Sequence, residues 1–118
     1  MESGQRVTEP TSIEFTGEPG IVGALRRIVD PDRDVRHAAA LDLGTIAAPA
    51  SAQALVARLG REQDFFVRDT LSWALTRIPH AATPLLLDSL AGTDAASRLQ
   101  ALQHLAITYP ERLDEYLN

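Results

Sequence analysis

The sequence predicts an all-α, right-handed solenoid of about three helical hairpins, closed by a C-terminal capping helix. Three observations carry this: a helix-favouring composition, an internal repeat, and helix punctuation at matching places in each repeat. Ala (18) and Leu (16) make up 34 of the 118 residues, and both favour helix. Only three Phe, two Tyr and one Trp are present, too few aromatics for a sandwich or barrel when β-branched residues are also sparse.

The repeat appears when residues 32–46, 64–78 and 94–108 are laid over one another, at offsets of 32 and then 30 residues. Each segment opens on an Asp with an Arg four residues later: Asp32/Arg36, Asp64/Arg68 and Asp94/Arg98. Leu43, Leu75 and Leu105 then coincide. A helical period of ~30 to 50 residues signals a solenoid, because one hairpin cannot bury its apolar face alone.

Seven helices are expected, near residues ~20–29, ~32–47, ~50–59, ~64–78, ~81–91, ~94–108 and ~110–117. Asp32, Asp64 and Asp94 each precede an apolar-periodic run, which suits an N-cap. Pro31, Pro49, Pro79 and Pro110 stand at element starts, where a missing N–H costs little. Gly60 and Gly92 follow Leu59 and Ala91, where a helix end favours a left-handed residue. Residues 1–19 stand outside the array as a flexible or extended arm, because Gly4, Pro10, Gly17, Pro19 and Gly20 break helical patterning. The alternation in Thr11–Thr16 would let Ile13 and Phe15 lie over the first helix.

The pattern Asp-x-x-Val-Arg-x-x-Ala-x-x-x-Leu-Gly-x-Ile, read in residues 32–46, resembles HEAT-like repeats, in particular the short bacterial kind seen in phycobilisome lyase subunits. Residues 64–78 keep Val67, Arg68 and Leu75, with Leu71 in place of Ala and Thr76 in place of Gly. Residues 94–108 are looser, with Ser97 for Val and Thr108 for Ile, as suits a terminal repeat. The resemblance spans roughly 20–118 and implies hairpins at 20–47, 50–78 and 81–108, with 110–117 as a capping half-repeat. It also implies that the helix opening each Asp-x-x-Val-Arg stretch lines the concave face. Each Asp is expected to cap its helix and accept from a neighbouring Arg. The stacked pairs would form a structural ladder that sets the register.

Several function classes lose ground. The formal charge is −5, from 11 basic and 16 acidic residues, where a nucleic-acid binder shows a basic excess. All 11 basic residues are Arg, which with the Ala excess fits a GC-rich bacterial genome. No apolar run approaches a membrane span, and the first residues lead into no secretory signal. Without cysteine there are no disulfides or thiolate chemistry. His37, His80 and His104 lie in no metal-ligand spacing, and no Ser lies in Gly-x-Ser-x-Gly. Asp30, Asp32 and Asp34 fit helix capping better than a calcium loop. No cofactor or metal is expected.

Positions four apart on the concave helices mark the candidate surface: His37, Leu41 and Thr45; Asp69, Trp73 and Arg77; Leu99, Gln103 and Ile107. Trp73, the single Trp, is the expected anchor, flanked by Asp69, Arg77, His37, Leu41 and Gln103. The competing reading of Trp73 is core packing. The expected function is a cytoplasmic, non-enzymatic scaffold or adaptor that binds a protein or peptide through this face. The acidic balance favours a partner with basic patches. The alternatives are a phycobilin lyase-like enzyme subunit, a groove enzyme acting on DNA bases, and a small-molecule sensor built on Trp73. No chromophore-handling residues and no basic excess support the first two.

Overall fold

The computed structural model describes residues 17–117. Seven α-helices follow one another: α1 (Gly17–Arg27), α2 (Arg33–Ile46), α3 (Ala52–Arg61), α4 (Phe65–Thr76), α5 (Pro79–Ala91), α6 (Ala95–Thr108) and α7 (Leu113–Leu117). A 3-10 turn at Pro49–Ser51 leads into α3 and another at Pro110–Arg112 into α7. No strand occurs among the described residues.

The three aspartates start α2, α4 and α6. The side chain of Asp32 accepts the N–H of Asp34 (2.8 Å), Asp64 that of Val67 (3.1 Å) and Asp94 that of Ser97 (2.9 Å). Each bond satisfies a donor that the first helical turn leaves without a partner. Pro79 opens α5, while Pro49 and Pro110 open the 3-10 turns. Pro31 instead lies in the loop before α2, and Pro84 sits inside α5, where it removes one N–H from the helix ladder.

The expectation of left-handed glycines fails, and α1 starts a little earlier than expected. Gly60 lies within α3 and Gly92 has φ −79°, so neither is left-handed. The left-handed helix end belongs to Ala47, φ 55°, whose N–H bonds to the Leu43 carbonyl after α2. Gly60 answers a packing need: a Cβ there would collide with Ser97 Oγ and lie 3.2 Å from Ser97 Cβ. α1 begins at Gly17, so Gly17, Pro19 and Gly20 belong to a helix rather than to an arm ending at residue 19. Pro19 is tolerated in the first turn because N–H groups there have no intrahelical acceptor. The arm contact through Ile13 and Phe15 falls outside the described residues.

The helices pack in consecutive pairs, α1 on α2, α3 on α4 and α5 on α6, with α7 against α6. Leu43, Leu75 and Leu105, the leucines aligned by the repeat, are all buried, together with Ile28, Leu55 and Leu71. Each such side chain contributes roughly 1.5–3 kcal/mol by leaving water. The pairs join differently. Between the first and second, α2 lies along α4. Between the second and third, α3 takes the contacts with both α5 and α6, and α4 makes little direct contact with α6.

Candidate functional site

The α2–α4 junction is held by charge. Arg33 spans from α2 to the cap of α4, Nε 2.7 Å and Nη2 3.3 Å from the two oxygens of Asp64. Arg36 grips Glu62 with both arms, Nε–Oε1 2.8 Å and Nη2–Oε2 2.9 Å, and donates through Nη1 to the carbonyls of Asp30 and Pro31. Arg58 Nε stands 3.1 Å from Glu62 Oε1. The Glu62 side chain has no exposed surface, so both guanidiniums are needed to offset its desolvation. Burial alone would raise the Glu62 carboxyl. The Arg36 hydrogen bond, the Asp64 N–H and the charge of Arg58 outweigh it and hold the group below the usual carboxylate range. Asp64 is also held low, first by the Arg33 hydrogen bond and then by the Val67 N–H.

This corrects the expected Asp–Arg ladder. The Arg that meets the next cap is Arg33, not Arg36, and the acid that meets Arg36 is Glu62, not an aspartate cap. Arg68 donates to the backbone carbonyls of Glu62 and Gln63 instead of to a carboxylate. Arg98 is exposed, and its guanidinium has no bonding partner among the described residues. The physical reason is geometric. An Arg four residues past an N-cap points back at the loop carbonyls, whereas the residue one past the cap points along the stack.

Trp73 is packed on one side and open on the other. A Cβ on Gly44 would overlap its six-membered ring, 2.7 Å from Cε3 and 2.8 Å from Cη2, so the indole is seated on the bare backbone of α2. The residue is nevertheless 41 % exposed. Arg77, one turn on, donates from Nε to the Gly44 carbonyl at 3.1 Å. Trp73 and Arg77 thus both meet α2 at Gly44.

The α4–α6 junction is a cleft of about 320 Å³. Phe65 and Asp69 line it from α4, Gln103 and Ile107 from α6, and Leu59 from α3. Phe65 is 63 % exposed and Ile107 82 %. Phe65 meets Phe66 edge to face at 5.8 Å, and the Arg33 guanidinium lies 5.9 Å from the Phe66 ring centre. One direct polar bond crosses the cleft, between Ser72 Oγ and Nδ1 of the buried His104. Burial lowers the His104 pKa, so the imidazole is neutral near pH 7 and shares one hydrogen bond with Ser72 through Nδ1. No carboxylate bonds to the imidazole among the described residues, and the pair acts as a cross-link. Sequence inspection passed over it. The overlay held a signal, since Ser72 and His104 fall where Ala40 and Ala74 stand one repeat earlier.

A family model for HEAT repeats matches residues 18–106. The chain belongs to the HEAT-repeat family. No curated protein matches it. HEAT repeats commonly serve as protein-interaction surfaces, and the candidate residues of this HEAT-repeat chain fall into three groups. Trp73 and Arg77 meet α2 at Gly44. Asp69, Gln103 and Ile107 share the α4–α6 cleft. Leu41, Thr45 and Leu99 are exposed and His37 half-buried on the same helices. Phe65 was not among the expected surface residues. It stands one turn before Asp69 on the same stripe. No group of three or more acidic or His side chains among the described residues is placed to hold a metal. No described helix is long and apolar enough to cross a membrane.

Proposed function

We propose that this HEAT-repeat chain is a non-enzymatic scaffold or adaptor that binds another protein or a peptide through the face formed by α2, α4 and α6. In this reading it comprises three hairpins and a C-terminal half-repeat coiling right-handed, and it works in the bacterial cytoplasm. The bacterial assignment rests on the all-Arg, Ala-rich composition and on the Asp-x-x-Val-Arg motif shared with short bacterial arrays.

One observation carries the reading. Trp73 is held rigidly against Gly44 while 41 % of it remains open, and Leu41, Leu99 and Ile107 are also exposed on the same three helices. A pre-positioned indole flanked by polar and charged side chains gives a partner contact area at low entropic cost. His37, Leu41, Asp69, Arg77 and Gln103 flank it. The net charge of −5 disfavours nucleic acid as the partner.

The test is capture of partners from the native cell with wild-type and Trp73→Ala baits, read by mass spectrometry. The expected outcome is a small set of proteins lost with Trp73→Ala, about 2–4 kcal/mol of binding in the purified pair. The helical circular dichroism should be retained. Equal recovery by both baits would remove Trp73 from the site.

A further inference from the structure

A groove of about 470 Å³ opens where α2 and α4 end and α5 begins. The buried Ile78 lines it together with Pro49, Pro79 and Ala47. Its side chains with polar atoms are Arg77 and His80, and no acidic residue lines it. Arg77 spends Nε on the Gly44 carbonyl, and its two terminal nitrogens bond to no group among the described residues. In the overlay Arg77 gives way to Ile107, so the second junction has no such cation. The groove is apolar, with one guanidinium that no carboxylate among the described residues balances.

The chain enters the array at this same end. A Cβ on Gly20 would lie 3.7 Å from Ile46 Cδ1, so the first turn of α1 stands beside the last turn of α2. Ile46 directly precedes Ala47 of the groove. Packed helix axes lie 8–10 Å apart, which puts the groove one to two helix spacings, roughly 10–20 Å, from Gly17. Six residues of extended chain span roughly 20 Å. The six that precede Gly17 are Thr11-Ser12-Ile13-Glu14-Phe15-Thr16. Extended, they place Ile13 and Phe15 on one side and Glu14 on the other. From Val7 to Thr16 the charged residues are Glu9 and Glu14, with no basic residue. Reach, apolar alternation and sign of charge all match the groove.

We propose that the chain's own segment 11–16 docks in this groove rather than along α1. Ile13 and Phe15 lie against Pro49, Ile78 and Pro79, and Glu14 pairs with Arg77 at the rim. Attachment to α1 holds the segment at a high effective concentration, so a small apolar contact and one ion pair suffice. In the scaffold reading, on which this one consequence rests, Arg77 flanks Trp73, and a partner must displace the segment to reach it.

The test uses the uniformly 15N-labelled full chain. The sequence has no cysteine, so Ser12→Cys carries a single nitroxide label. The amide signals of Ala47, His80 and Ala81 should weaken about threefold or more against the reduced-label control, as expected for a tethered segment that is mostly bound. Those of Arg26 and Val29 on α1 should not. Adding Ile13→Ser with Phe15→Ser should restore the groove signals without changing the melting temperature. Adding Glu14→Gln should restore them about twofold, the scale of an exposed ion pair.

No weakening at the groove overturns the proposal, as does weakening of Arg26 and Val29 in its place, which would lay the segment along α1. Groove weakening that survives undiminished in either variant also overturns it, because contact without those side chains is proximity alone. Weakening passed from a nitroxide-labelled 14N chain to an untagged 15N chain would assign the groove to a second copy and likewise overturns it. Partner recovery with Trp73→Ala is read separately, so the scaffold reading stands or falls independently of these outcomes.

Discussion

The two junctions of this array are built from the same positions in opposite ways. The first joins α2 to α4 through a buried carboxylate held by two guanidiniums, a cap bridged by Arg33, and an indole seated on a glycine. The second leaves α4 and α6 apart, joined by Ser72 and His104 across a cleft. In a solenoid each repeat contacts only its neighbours, so one interface can be rigid while the next stays open, with little loss to the whole. The rigid junction positions Trp73, and the open one exposes Phe65 and Ile107.

The largest expected effect breaks the first junction. Glu62→Gln removes the charge that Arg36 and Arg58 are arranged around and leaves two half-buried cations facing a neutral group. The expected loss is about 3 kcal/mol by urea denaturation, at the lower end for a buried pair because Arg36 keeps some exposure. Because the folded Glu62 pKa is lowered, its contribution is present above the ordinary Glu value of ~4.3 and is lost as pH falls through the folded value. An unchanged denaturation midpoint would show that the junction is held by packing alone.

Gly44→Ala tests the indole's seat. The added methyl overlaps the ring, so the indole must lift or the helices must separate, at about 1–3 kcal/mol. Trp73 fluorescence should shift to longer wavelength as the ring enters water. Unchanged emission would mean that the ring is not seated on Gly44.

Acid sharpens the contrast from the other side. His104 is buried with a lowered pKa, so folding disfavours its charged form. Stability from this site is complete above the unfolded value of ~6.5 and is lost as pH falls from there towards the folded value, by at most about 1.4 kcal/mol per pH unit. The double change Ser72→Ala with His104→Ala reproduces the Ala40 and Ala74 of the first junction and should flatten the profile between pH 7 and 5. A profile with the same slope in the double variant would place the titration elsewhere. The smallest effect is expected for Arg98→Ala, within about 0.5 kcal/mol, since the exposed guanidinium has no partner among the described residues. A larger loss would restore the third rung that the ladder expectation gave it.

What the sequence by itself determined is local and periodic. Asp32, Asp64 and Asp94 read as caps because a cap needs only a short acceptor before a helical run, and all three accept N–H bonds at their helix starts. Leu43, Leu75 and Leu105 coincide in the overlay and in the core because burial follows the helical period. Periodicity placed Trp73 on a stripe with Asp69 and Arg77 but left it open between groove and core.

What only the tertiary structure decided depends on distances between repeats, which periodicity does not carry. Arg33 and Asp64 lie 31 residues apart, and the pair was hidden because the Asp–Arg motif drew attention to Arg36. Gly60 read as a helix end because glycine is common there. Its cause is Ser97 on another helix, and sequence alone does not show how closely two helices approach. The cleft was invisible for the same reason. It arises from the set of replacements that turns one tight junction into one open one, and their meaning appears only when the first junction's contacts are known. Residue types specify what each side chain is able to do, while the spacing of packed helices selects which of those capacities is used.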